Sequence, residues 1–125
     1  MDTIANMFSS IKNALAVSKE NTEVDYSKVN VEIAKILKKE GFILDYKENE
    51  HKNIEIGLKY KGKKPYINCL ERISKSSCRR YCKSKEIPRI LSGLGMVIIS
   101  TPKGILTGNE AKKKGLGGEL ICKIW

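Results

Sequence analysis

The chain has 125 residues, enough for one ordinary domain or two very small ones and too few for a catalytic domain with separate modules. Its apolar fraction of 41% is that of a folded globular protein, but two Phe and one Trp leave the core to aliphatic and β-branched side chains. A net charge of +10 repels itself in a compact state and is best matched by a polyanionic partner, nucleic acid foremost. Met1 to Asn6 carry no basic run and lead into no sustained apolar stretch, so neither a secretory signal nor a membrane span is expected, and the chain is expected to stay where it is made.

From Thr3 to about Val17, Ile4, Met7, Phe8, Ile11 and Leu15 recur at three- and four-residue spacing, which predicts an amphipathic helix with Lys12 and Asn13 off its apolar face. A short extended stretch around Glu23 to Tyr26 follows. Ser27 then caps a second helix with Val29, Ile33, Ile36 and Leu37 on one stripe and Gly41 as its stop. Phe42 to Lys47 reads as a strand, joined through Asn49 to Asn53 to a second strand in which Ile54, Ile56, Leu58 and Tyr60 alternate with polar neighbours. Lys61-Gly62-Lys63-Lys64-Pro65 is punctuated by Gly and Pro and reads as a linker, dividing the chain into modules 1–62 and 63–125.

Beyond that point Tyr66 to Ile73 is expected to be extended, Ser74 to Tyr81 to be a polar basic segment, and Ile87 to Leu91 to be a short ordered piece before Gly93-Leu94-Gly95. Met96 to Ile99 is a continuous apolar run suited to a buried strand. Thr107 and Glu110 have capping-box spacing and predict a helix of about two turns ended by Gly115, after which Glu119 to Trp125 closes the chain as a strand.

Charge is unevenly shared. Residues 1–60 hold nine lysines against ten acids, net −1, whereas residues 61–125 hold fifteen Lys and Arg against four acids, net +11. The grip on a polyanion is therefore expected mainly in the second half. Three segments there combine chemistry suited to RNA. Ser74 to Lys83 interleaves hydroxyls, cations and Tyr81, offering phosphate donors and a stacking ring; a solvated basic loop is the alternative reading. Ser100-Thr101-Pro102-Lys103-Gly104 joins small hydroxyl residues to a cation and a glycine that allow close approach to a sugar or base edge, and reads equally as a strand-to-helix turn. In Leu116-Gly117-Gly118-Glu119 the glycines permit positive φ or close backbone approach, and the carboxylate can accept from a base or hold a neighbouring Arg or Lys.

Enzymatic readings find little support. Gly93-x-Gly95 has no third glycine at the required spacing, no phosphate-binding P-loop is present, and His51 sits in a polar turn. Cys69, Cys78, Cys82 and Cys122 contain no C-x-x-C pair and are read as reduced core residues, so no metal and no disulfide is expected.

The three segments, with Asp2-Thr3-Ile4-Ala5-Asn6-Met7, Ile11-Lys12-Asn13-Ala14, Ile36 to Ile43, Arg72-Ile73-Ser74-Lys75, Gly93-Leu94-Gly95, Thr107 with Glu110-Ala111, and Lys114 to Trp125, together make a chain that resembles, nearly end to end, the eighth protein of the bacterial-type small ribosomal subunit. The resemblance implies an α+β fold of two small packed α/β modules, the first α-β-α-β-β and the second β-rich with one short helix. It implies no catalysis, no cofactor, no small-molecule substrate and no membrane partner. The implied partners are the central domain of 16S-type ribosomal RNA, bound early in assembly, and neighbouring small-subunit proteins; the implied location is a ribosome of a bacterial cytoplasm or plastid. By matching position, Ser100, Thr101, Lys103, Gly104, Gly118 and Glu119 would lie at an internal-loop RNA site with Tyr81, Lys75 and Arg79 nearby, and Thr3, Lys12 and Asn13 would reach a second RNA segment. Two places depart from the family pattern: Pro102 stands where a second serine is usual, and Ser76-Ser77 where a Pro-Gly turn is usual. A generic basic RNA- or DNA-binding protein is the alternative reading.

Overall fold

A computed structural model describes residues 3–75, 77–89 and 95–125. Parts of three sequence segments (Ser76, Ile90 with Leu91, and Gly93 with Leu94) lie outside the described residues, as does Asp2 of the opening motif. Chain contacts divide the protein into two compact units, 1–68 and 69–125. The expected boundary after Gly62 falls inside the first of them.

In the first unit, helix α1 (Thr3–Ala16) buries Met7, Phe8, Ile11 and Ala14. Strand β1 (Asn21–Asp25) leads to helix α2 (Lys28–Lys39), whose first turn is capped by the Ser27 side chain accepting from the Asn30 N–H at 3.0 Å. The buried stripe of α2 is Val31, Ile33, Ala34, Ile36 and Leu37. Val29, expected on that stripe, is exposed, because the face turned inward at the helix start is that of Asn30. Asn30 is fully buried and its amide Nδ2 donates to the Asp25 carbonyl at 3.0 Å and the Thr3 carbonyl at 3.5 Å, tying the starts of α1 and α2 to the end of β1. The helix stops at Gly41 (φ +81), where the N–H groups of Gly41 and Phe42 donate to Lys38 and Leu37 carbonyls.

Strands β2 (Ile43–Asn49) and β3 (Asn53–Leu58) form an antiparallel hairpin, and β1 adds to the far side of β3 to give the order β1-β3-β2. The period-two pattern sends Ile54, Ile56 and Leu58 inward, while Glu23, Glu55 and Lys47 share an outward row. Residues 61–65 are not an irregular linker. Strands β4 (Tyr60–Lys61) and β5 (Lys64–Pro65) pair as a short ribbon around Gly62, whose φ of +65 makes the turn.

In the second unit, strands β6 (Leu70–Arg72), β7 (Tyr81–Cys82), β8 (Met96–Thr101), β9 (Gly104–Thr107) and β10 (Gly118–Ile124) form one antiparallel sheet. The last strand in sequence is central. It pairs along one edge with β8 and along the other with β6 at its C-terminal half and β7 at its N-terminal end. Helix α3 (Gly108–Lys114) opens with the expected capping box, Thr107 with Glu110, and ends at Gly115 in the left-handed region. It packs on β8 and β9, where Ile87, Ile99 and Ala111 form a buried cluster with Cys82, Leu106 and Leu120 against it. Val97, Ile98 and Ile99 are all buried, which is why this strand reads as an unbroken apolar run.

Candidate nucleic-acid interface

The site is built around the start of β10. Glu119 pairs with Ser100 of β8 on one side and Tyr81 of β7 on the other, so these three residues share one row across the sheet. The face opposite carries Ile99, Leu120 and Cys82 toward α3. Three strands converge this tightly because the two residues before Glu119 lack side chains. A Cβ on Gly117 would stand 2.5 Å from the Cys82 carbonyl oxygen, and one on Gly118 would run into the Ser100 carbonyl, 2.9 Å from its carbon. Neither glycine has positive φ; of the two expected uses of the pair, the structure shows close backbone approach.

The basic segment between β6 and β7 leaves and rejoins the edge of β10 at one residue. The Ser74 N–H donates to the Leu120 carbonyl at 3.1 Å, and the Leu120 N–H donates to the Arg80 carbonyl at 2.9 Å. Within this excursion Ser74 is fully buried. Its hydroxyl donates to Glu119 Oε2 at 2.5 Å and accepts from the Arg80 N–H at 3.1 Å, so it is no phosphate donor, contrary to the reading of the segment as a run of available hydroxyls. Arg79 Nη1 donates to the same Oε2 at 2.8 Å. Glu119 therefore holds a neighbouring arginine, one of its two expected uses. Burial pushes its carboxyl pKa upward, but the hydrogen bonds from Arg79 and Ser74 and the charges of Arg79 and Arg72 outweigh that and hold it below the usual carboxylate range. The result is an ionised carboxylate set in a basic surface, with the ring of Tyr81 beside it 70% exposed.

Ser100-Thr101-Pro102-Lys103-Gly104 is a β-hairpin turn, not the strand-to-helix turn weighed from the sequence: Thr101 pairs with Gly104, and Pro102 and Lys103 form the loop. Proline suits the first loop position, where its fixed φ preorganises the bend. Thr101 Oγ1 donates to the Gly104 carbonyl at 2.8 Å and accepts from the Lys103 N–H at 3.2 Å, so this hydroxyl shapes the loop from inside. Gly104 has φ +114. Lys103 projects into solvent at the tip.

Lys75 is exposed and exchanges backbone hydrogen bonds with Cys78 at 3.0 Å, closing the tip of the basic excursion. Of the residues singled out in the sequence, the second unit thus gathers Tyr81, Ser100, Glu119, Gly118 and Arg79 at one place, with the Thr101–Gly104 turn continuing the β8 strand that carries Ser100. Thr3, Lys12 and Asn13 lie on α1 of the first unit, with Lys12 and Asn13 exposed and Thr3 half-buried. The cysteines are free but not uniformly core residues. Cys122 is fully buried, its thiol pKa pushed up to about 12 chiefly by burial, whereas Cys69 and Cys82 are half-buried and Cys78 is exposed.

A family model described as ribosomal protein S8 matches residues 2–125. The chain belongs to that family. It is 49% identical to the small ribosomal subunit protein uS8 of Synechocystis sp. over 99% of this chain and 97% of the relative. It is 50% identical to uS8c of Phaeodactylum tricornutum over 99% and 98% of the two chains, and 46% identical to uS8 of Xylella fastidiosa over 98% and 96%. Membership makes it a structural ribosomal protein and not an enzyme. The residue that sequence reasoning misplaced in this site is Ser74. No local spacing marks it, because β6 ends at Arg72 and the hydroxyl's partner, Glu119, lies 45 residues further along the chain.

Proposed function

We propose that this chain is a primary binder of the central domain of 16S-type ribosomal RNA, acting early in small-subunit assembly and in the translating ribosome. Family membership supplies the coarser part: a structural constituent of the small ribosomal subunit, located in the ribosome of a bacterial cytoplasm or a plastid, with ribosomal RNA and neighbouring ribosomal proteins as partners. The observation that supports the finer part is the row Tyr81, Glu119 and Ser100. A fixed anionic acceptor beside an exposed aromatic ring is ill suited to gripping phosphates and well suited to accepting from base amino groups while a base stacks.

In this reading Lys75, Arg79 and Lys103 hold phosphates, and the Thr101–Gly104 loop with Gly118 lets the RNA backbone come close. Thr3, Lys12 and Asn13 meet a second RNA segment. Affinity then comes largely from counterion release and discrimination from the row. A central-domain hairpin is expected to outcompete an equal-length scrambled duplex at moderate salt. With about five phosphates neutralised, the slope of log affinity against log salt should lie near −3.5, using the single-strand coefficient. Equal binding to both RNAs, or to duplex DNA, with collapse as salt rises would leave only a generic basic binder.

A further inference from the structure

We propose that the β4–β5 ribbon is a further RNA-phosphate-binding element, with the polyanion running along the flank formed by Lys61, Lys64 and Tyr66. Residues 59–64 contain four lysines and no acid, at the end of a stretch that is otherwise net negative. Lys61, Lys63 and Lys64 are exposed. Elsewhere Lys35, Lys38, Arg79 and Lys123 each have a carboxylate partner, but none of the ribbon lysines is ion-paired among the described residues.

Register sharpens the point. Lys61 and Lys64 are directly opposed across the ribbon, an arrangement in which like charges destabilise a strand pair unless a polyanion bridges them. The ribbon is held in place all the same. The Tyr60 hydroxyl donates to the Lys19 carbonyl at 2.6 Å, and the Tyr66 N–H donates to the Lys59 carbonyl at 3.0 Å. Its two flanks differ. One is shared with Ser18 and Glu20, whose carboxylate opposes phosphate; the other is a shallow groove lined by Lys61, Lys64, Pro65, Tyr66 and Asn68, with no acid. Tyr66 is 40% exposed, and Lys59 Nζ lies 4.3 Å from its ring centroid, so the groove ends in an aromatic face that already carries a cation. Pro65 offers no N–H to an added strand, which favours a phosphate backbone over a polypeptide edge as the occupant.

The inference rests on the chain being an RNA binder but not on the β10 site. The test is acetylation of surface lysines in the full chain when free, when bound to protein-free small-subunit RNA, and when inside the assembled subunit. Lys61 and Lys64 are expected to be protected in both bound states. Full reactivity in both overturns the proposal, and protection confined to the assembled subunit also overturns it by assigning the ribbon to a protein neighbour. Lys103 separates this result from the function proposed above: Lys103 protected with Lys61 and Lys64 reactive removes the ribbon alone, and the reverse removes the β10 site alone. The double variant Lys61→Gln with Lys64→Gln should make the salt slope shallower by about 1.4, for two phosphates at about 0.7 each, and an unchanged slope contradicts it.

Discussion

Gly118→Ala is expected to destabilise the second unit by about 4 kcal/mol or more, a loss large enough to prevent folding of a small domain. The added methyl would collide with the Ser100 carbonyl, 2.9 Å from its carbon and 3.2 Å from Thr101 Cα. These are backbone atoms of a strand fixed on both sides, since Ser100 pairs with Glu119 and with Ile105, so no side chain can swing away to make room. Relief requires separation of β8 from the start of β10, and with it loss of the row of Tyr81, Glu119 and Ser100. Gly104→Ala is the comparison. Its φ of +114 strains any L residue, but nothing stands within 4 Å of the new methyl, so the cost should be about 1–3 kcal/mol. Urea denaturation of both variants checks the claim; a Gly118→Ala protein as stable as Gly104→Ala would show that the close approach does not constrain the fold.

Glu119→Gln should move two RNA affinities in opposite directions. If the carboxylate accepts from a base, its loss weakens the central-domain hairpin about 10- to 100-fold, the range for a hydrogen bond to a charged group. The same change removes a negative charge from a basic surface and the carboxylate partner of Arg79 at this site, so a scrambled duplex should bind somewhat more tightly. A merely structural Glu119 would weaken both. Ser74→Ala should also weaken the central-domain hairpin, because the hydroxyl holds Oε2 and accepts from the Arg80 N–H, but it leaves the carboxylate charge and its Arg79 pairing in place and so should not tighten the scrambled duplex. Acid provides an independent check. The folded-state pKa of Glu119 is depressed, so its contribution to stability is complete above the ordinary value of 4.5 and is lost as pH falls through the lower folded value. Wild type should therefore lose more stability than Glu119→Gln over that acidic window.

Much of the fold was legible because local rules were obeyed. The alternation of Ile54, Ile56 and Leu58, the Ser27 cap, the Thr107–Glu110 capping box and the unbroken Val97-Ile98-Ile99 run are each written in the spacing of residues a few positions apart. What stayed hidden depended on distant pairing. That the closing strand is central, with β7 and β8 on either side of Glu119, involves residues far apart in the chain, and no periodicity reports it. The burial of Ser74 follows from that arrangement, since its hydroxyl partner is 45 residues away. Val29 misled because an apolar residue near a helix start matches the stripe in spacing while the buried position is taken by Asn30. Residues 61–65 misled differently: Gly and Pro mark a tight ribbon as readily as a linker, and the opposed lysines gave no sign of pairing. Within the site, Glu119 and its arginine were anticipated, whereas the role of Thr101 inside its hairpin was not.

The surface around the start of β10 is expected to be what reads the RNA. Amide chemical-shift mapping of the isotope-labelled full chain, titrated with the central-domain hairpin at moderate salt, measures this residue by residue. The largest changes are predicted at Tyr81, Ser100, Thr101, Lys103, Gly104, Gly118 and Glu119, with smaller ones along the basic excursion and the β4–β5 ribbon. Changes spread evenly over exposed lysines, with the β10 row unmoved, would contradict it.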